Sequence, residues 1–357
     1  MLYKRILERV MSISSLDQTV AQPDYGAAYT ELRRTVIAAG LLKRRYGYYL
    51  VRTSFCFLLF IFGVALPFLL PATLVWSAIA SIVIGFAMVQ VALIGHDAGH
   101  LEIFRKTTKN WLLGQLCWSI STGISFWYWN DRHNRHHGHT NDLEKDPDIQ
   151  GSGPLAIAFT EEEAAARHGW RRALVKYQVV LVLLSLLLYT FAFRAEGWLF
   201  AIRNLKSTRR LLEITLLTLS IALWLMFIIV LGWRGFGIFF ASNVVGSIYF
   251  VATIAPNHNG MPVWARGVKL SFLERQVLSS RDLTSHPVWD FLYGGLNYQI
   301  EHHLFPTIPR VNLKRAQAII QPFCEAHGLA YEVTDPLTAY CQVYSLLRRA
   351  GNAAIEI

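Results

Sequence analysis

Eight of the twelve histidines in this 357-residue chain fall into four short clusters: His96 and His100 in HDAGH, His133, His136 and His137 in HNRHH, His258 in NHN, and His302 and His303 in QIEHH. On a helix, residues at i and i+3 or i+4 share one face. His96 with His100, and His133 with His136 and His137, can therefore each offer imidazoles from one side of one helix. Neutral imidazole suits iron, zinc, copper or nickel, and no cysteine stands near a cluster to make a thiolate or iron–sulfur site. Eight imidazoles are too many for one ion that keeps an open position, so two metals fit better. His168, His286 and His327 have no partner at ligand spacing and read as packing residues, whereas His139, at i+3 from His136, is not separated from the ligands by helix geometry alone.

Two of the clusters follow long apolar segments. The chain is 53% hydrophobic and 16% charged, with a mean hydropathy of +0.32, richer in apolar residues than an ordinary soluble domain. A bilayer core needs about 20 apolar residues per helix, and four stretches pass or nearly pass: Thr53 to Leu70, Ala72 to Gly95, Ile214 to Leu231 and Phe236 to Ala255. Val179 to Phe193 is too short and Trp111 to Tyr128 too interrupted by polar residues, so both read as interfacial or buried in protein. Pro71 and Gly232 to Gly235 make tight connections, which fold the four spans into two hairpins and leave most of the chain on one side.

Lysine and arginine mark that side as cytoplasmic. Arg234 is the one cation of 34 that this topology places outside, and the +10 net charge is accounted for by a positive-inside surface on anionic lipid without nucleic acid. The expected organisation is a cytosolic segment over 1–50, a first hairpin over 51–95, a cytosolic or interfacial segment over 96–210, a second hairpin over 211–255, and a cytosolic segment over 256–357. Parity brings all four histidine clusters to one face, provided the two short stretches do not cross. Cys56, Cys117, Cys324 and Cys341 are widely spaced and read as reduced packing residues. The N-terminal MLYKRILERVMSISSLDQ lacks the apolar core and cleavage site of a signal peptide, so nothing is expected to be removed.

HDAGH, HNRHHGHTN and QIEHHLFPTIPR resemble the three histidine boxes of the membrane fatty acid desaturase family, HxxxH, HxxHH and [H/Q]xxHH. The likeness runs from Tyr29 to Leu42 through APNHNGMP to PRVNL. It implies an all-α integral membrane protein, a four-span helical bundle with a cytosolic helical cap that holds a non-haem di-iron centre. Carried over by position, it implies His96, His100, His133, His136, His137, His302 and His303 as iron ligands, with His258 as the extra ligand. Gln299 stands where many members have histidine, as in the front-end and acyl-lipid branch; it is a candidate weak ligand or partner of bound water. Asp97, Asn141 and Glu301 are neighbours suited to orienting imidazoles. Trp127 and Trp129, directly before the second box, are placed to line an acyl channel or to sit at the membrane interface.

The resemblance implies two iron ions as cofactor and O₂ as cosubstrate, with two hydrogens removed from adjacent carbons of a fatty acyl chain carried on CoA, acyl carrier protein or a lipid. O₂ takes four electrons and the substrate gives two. The chain has no dinucleotide fingerprint, iron–sulfur cysteine pattern or HPGG haem motif. A separate donor such as ferredoxin or cytochrome b5, with its reductase, is therefore expected. The setting is the membrane, the bacterial cytoplasmic membrane rather than the endoplasmic reticulum, with the active site facing the cytoplasm. Hydroxylases and other oxygen-inserting enzymes share the scaffold, and a histidine-lined metal transporter is a distant alternative whose ligands would sit near the bilayer midplane.

Overall fold

The computed structural model describes residues 24–150, 157–203, 208–265 and 267–355; the N-terminal segment read above lies outside them. It is mostly helical, and among the described residues Asp282–Leu283 pairs in parallel with Val333–Thr334 and an isolated parallel bridge joins Asp142 to Trp264. The chain divides into two compact units, one of 44–134 with 182–253, the other of 1–43, 135–181 and 254–357.

The first unit holds the apolar helices. Among the described residues three helices are long and apolar enough to cross a membrane, Tyr46–Leu69, Leu74–Gly99 and Arg210–His258, the last running beyond this unit at its C-terminal end. The expected third and fourth spans thus share one helical run. A straight helix of 49 residues would measure about 73 Å, more than twice a bilayer core of about 30 Å. The run is interrupted at Gly232, whose φ of 59° and ψ of −140° suit a residue without Cβ. Trp224 and Phe239 lie on opposite sides of that residue with ring centroids 5.0 Å apart, so the chain doubles back. Arg234 ties the turn down, donating to Ser77 Oγ and to the carbonyls of Pro67 and Pro71. Val179 to Phe193 takes part in two helices, Gln178–Ser185 and Tyr189–Arg203, bent by 73°. Trp111 to Tyr128 forms a helix to Gln115, then a π-helix over Leu116–Thr122 that stops at Gly123, φ 71°. Single π turns inside helices recur at functional sites.

The second unit is built from shorter, amphipathic helices. Asp24 accepts from the amides of Gly26 and Ala27 at the start of Tyr25–Ala38. That helix buries Leu32 and Val36 against Leu273, Val277, Ile300 and Ile320. Ser271 and Glu274 close a capping box on Phe272–Leu278. Asp335 caps the C-terminal helix Pro336–Ala353, with Pro336 in its first turn.

Candidate metal centre

In the first unit, His96 ends the apolar helix Leu74–Gly99 and His100 is its C-cap. His133 comes from the helix Phe126–Gly138. Ring centroids of His96, His100 and His133 are 4.8, 4.9 and 5.0 Å apart pairwise. The Nε2 atoms of His96 and His133 approach to 3.2 Å. Asp97, inside the box, lies 3.3 Å from His96 Nδ1 and holds that nitrogen away from the convergence point. Burial, and then the His96 imidazole, hold His100 well below the ordinary histidine value, which keeps it a neutral lone-pair donor.

The second unit gathers His136 and His137, from the last turn of Phe126–Gly138, with His258 and the pair His302 and His303 on the short helix Gln299–Leu304. Each of three rings is anchored through Nδ1. His136 Nδ1 faces Asp146 at 2.9 and 3.0 Å, His258 Nδ1 donates to the Ser279 carbonyl at 2.9 Å, and His303 Nδ1 meets Gln276 Oε1 at 2.8 Å. An N–H at Nδ1 fixes the tautomer and leaves Nε2 as the lone-pair nitrogen. Nε2 of His136 and of His258 are 3.3 Å apart, and ligand atoms of His136, His258 and His303 all lie within 4.8 Å of one another. His137 stacks on His303 at 4.0 Å and meets His302 edge-on at 4.8 Å.

These spacings fit metal. Two imidazole nitrogens bound about 2.1 Å from one ion at 90–110° are about 3.0–3.4 Å apart. Two nitrogen lone pairs facing at that distance repel without a cation between them.

Other expected residues take several places. Asn141 donates to the carbonyls of Pro262, His258 and Ser279, bracing the backbone on which His258 sits. Gln299 contacts His258 Nε2 through its amide nitrogen at 2.8 Å and accepts from Asn257 at 3.1 Å. In that sense the amide occupies the His258 lone pair; rotated, it would present a carbonyl oxygen. Glu301 orients no imidazole directly. Its Oε1, like Asp282 Oδ2, is 2.6 Å from the Tyr331 hydroxyl. Burial first, and then Asp282, raise its pKa well above the carboxylate range. Trp129 is buried, stacked on Trp118 at 4.9 Å and on His133 at 4.7 Å, while Trp127 is half-buried beneath the Arg210 guanidinium. Trp118 also lines a tight apolar recess of about 20 Å³, with Met88, Ala92, Tyr189, Phe193 and Phe250. His327 packs on Phe323, His286 caps a helix, and neither these nor His139 and His168 join a ligand group.

The anchors Asp146, Gln276 and Ser279 were not foreseen from sequence, nor was buried Glu102, which accepts from Tyr49 at 2.6 Å and lies with His96 and Asp97. Asp146, ten residues past His136 in an acidic loop, gave the one local signal; Gln276 sits in a segment without a motif.

The fatty acid desaturase family model matches residues 71–334. The chain is 26% identical to an acyl-lipid (9-3)-desaturase of Physcomitrium patens, over 96% of this chain and 66% of that protein. It is 25% identical to a Delta(6)-fatty-acid desaturase of Caenorhabditis elegans, over 98% and 81%. It is 30% identical to a Delta 8-(E)-sphingolipid desaturase of Candida albicans, over 91% and 58%. The chain thus spans two thirds or less of the length of several curated relatives it matches. With three histidine boxes in place and three quarters of its length matched, the chain belongs to the fatty acid desaturase family.

Proposed function

We propose that this chain is a membrane fatty acyl desaturase that introduces a cis double bond into an acyl chain. The observation that carries the reading is a pair of largely buried imidazole sets, each with nitrogens at single-ion spacing. His96, His100 and His133 would hold one iron and His136, His258 and His303 a second, with His137 and His302 completing the donor set. Iron, when bound, supplies the activation of O₂ and the hydrogen abstraction that no side chain can perform on an unactivated methylene. The protein supplies position and exclusion. Asp97, Asp146, Gln276 and the Ser279 carbonyl hold the ring tautomers, and Asn141 braces the His258 backbone. Trp118 and Trp129 stack behind His133 and give the first set an apolar backing.

Two electrons and two protons leave the substrate, two of each come from outside, and O₂ becomes two waters. Nothing in these 357 residues carries a redox-carrier motif, so we assign the external pair to a ferredoxin- or cytochrome b5-type donor. The chain reversal at Gly232 and the positive-inside bias support four spans in two hairpins, with the histidine sets facing the cytoplasm. The substrate class follows that of the relatives, which are named as desaturases of acyl lipids, fatty acids and sphingolipids.

Expression in a host of known fatty acid pool, with lipids profiled by mass spectrometry, tests the reading. A product lighter by two hydrogens, absent with H303A, supports it. A product heavier by one oxygen would move the chain to the hydroxylases, and no product with the iron-replete enzyme and donor would refute both.

A further inference from the structure

The helix that carries the second histidine box begins in a closed polar network. The first amides of a helix have no carbonyl one turn earlier to bond. Here each of three finds a side-chain oxygen: Phe126 N–H donates to Ser119 Oγ at 3.4 Å, Trp127 N–H to Glu213 Oε1 at 2.9 Å and Tyr128 N–H to Ser125 Oγ at 3.0 Å. Glu213 Oε1 also accepts from Ser125 Oγ at 3.0 Å and Gln115 Nε2 at 3.4 Å, and Gln115 Oε1 accepts from Ser119 Oγ at 2.6 Å. All four side chains are at most 1% exposed.

Stabilising a helix end does not by itself require a glutamate 86 residues away in sequence. Ser125 already caps, and serine or asparagine serves a cap as well as any residue. A buried carboxylate costs free energy unless donors and positive partial charge surround it. Three donors reach Glu213 Oε1 beside the positive end of the helix, while Oε2 is buried without a hydrogen-bond partner. What the carboxylate adds is a fixed point: Glu213 stands at the base of the run Thr208–His258, and through Trp127 it grips the helix Phe126–Gly138. Because a helix is stiff along its axis, a shift at Trp127 moves Trp129 and His133 with it. Trp129 has no slack, since a Cβ on Gly99 would lie 2.5 Å from its ring, and it stacks on His133.

We propose that Glu213 is a positioning residue for the second histidine box, setting the axial register from which His133 meets His96 and His100. The proposal rests on reading those histidines as metal ligands.

The test compares E213A and E213Q in the full-length protein. Glutamine keeps a carbonyl for the Trp127 amide, and alanine removes the acceptor altogether. In E213A, iron affinity from chelator competition falls about tenfold or more, amide exchange at Trp127 and Tyr128 quickens, and kcat falls with KM within about twofold. E213Q recovers most of the iron affinity. Wild-type iron affinity in folded E213A, or a loss confined to melting temperature, would overturn the proposal. Should E213A not fold, E213Q and S125A carry the test, and unchanged exchange and affinity in both would overturn it. If the wild-type protein holds no iron, the desaturase reading fails on its own, and exchange at Trp127 still decides whether Glu213 anchors the helix.

Discussion

Replacing Asp146 by Ala removes the carboxylate behind His136, and the structure allows the consequence to be sized. Asp146 is fully buried, facing His136 Nδ1 at 2.9 and 3.0 Å and accepting from the amides of Asn141 at 2.8 Å and Asp148 at 2.9 Å. Alanine removes the acceptor that a buried ring N–H and a buried amide share, each loss costing about 1–3 kcal/mol, so the loop after the box loosens and the melting temperature falls. The ring also loses its orienting partner, and losses of that kind cost about 10- to 100-fold in metal affinity, equivalent to about 1.4–2.8 kcal/mol. Iron per chain after purification, chelator competition and turnover measure the effect. D146N should fall between wild type and D146A, since one oxygen can still accept from His136 and Asn141. If Asp146 acts through His136, the double variant H136A/D146A binds iron no more weakly than H136A. Full iron affinity in D146A, or additive losses in the double variant, would refute the reasoning.

Stability should depend on pH through Glu301. Glu301 and Asp282 both face the Tyr331 hydroxyl at 2.6 Å, and burial first, then the neighbouring Asp282, raise Glu301 well above its ordinary value of 4.5. A raised carboxyl binds more protons in the folded state, so its contribution is present below 4.5 and is lost as pH rises through the elevated value; melting curves of E301Q should show a flatter decline with rising pH than wild type, and an unchanged slope would exclude the pair as its source. G99A should lower the melting temperature by overpacking, about 1–3 kcal/mol, and weaken iron binding, because the new Cβ would meet the Trp129 ring at 2.5 Å; a variant with wild-type melting and iron content would show that Trp129 yields freely. A labelling cysteine in place of Trp233, 87% exposed at the Gly232 turn, should react from the side opposite to one following Leu313. Reaction of both from the same side would remove the second hairpin.

Short-range chemistry was legible in the sequence, and long-range support was not. The i, i+4 spacing of His96 and His100 follows from helix geometry, and their rings lie 4.8 Å apart; the i+3, i+4 spacing within the second box does not gather its three rings, since His133 meets His96 and His100 while His136 meets His258 and His303. Gly232 and Arg234 marked a turn, and the chain reverses there, although the helix on either side stays continuous enough to form one run. The π-helix over Leu116–Thr122 left no pattern to read, because an i→i+5 bond changes register without changing composition. The anchors were hidden for another reason. Gln276 reaches the His137 carbonyl 139 residues away, and such pairs are set by packing that no local periodicity encodes.

Charge explains why the anchors differ in kind. Neutral imidazoles contribute no charge, so a divalent ion held by histidines alone would stand uncompensated in a buried site. In each unit one ring is backed by a carboxylate, His96 by Asp97 and His136 by Asp146, while His258 and His303 lean on a neutral carbonyl and amide. A carboxylate behind the ring strengthens the lone pair at Nε2 and offsets charge without taking a coordination position. Buried Glu102, grouped with His96 and Asp97, and half-exposed Asp148, 3.6 Å from His136, add a further negative group to each unit. An ion held by these rings would meet neutral imidazoles, and the compensating charge would sit on the carboxylates behind them. On this account, D97N and D146N should weaken ferric iron more than ferrous iron, because the higher charge leans harder on the carboxylates; equal losses for the two oxidation states would mean that these residues act by geometry alone.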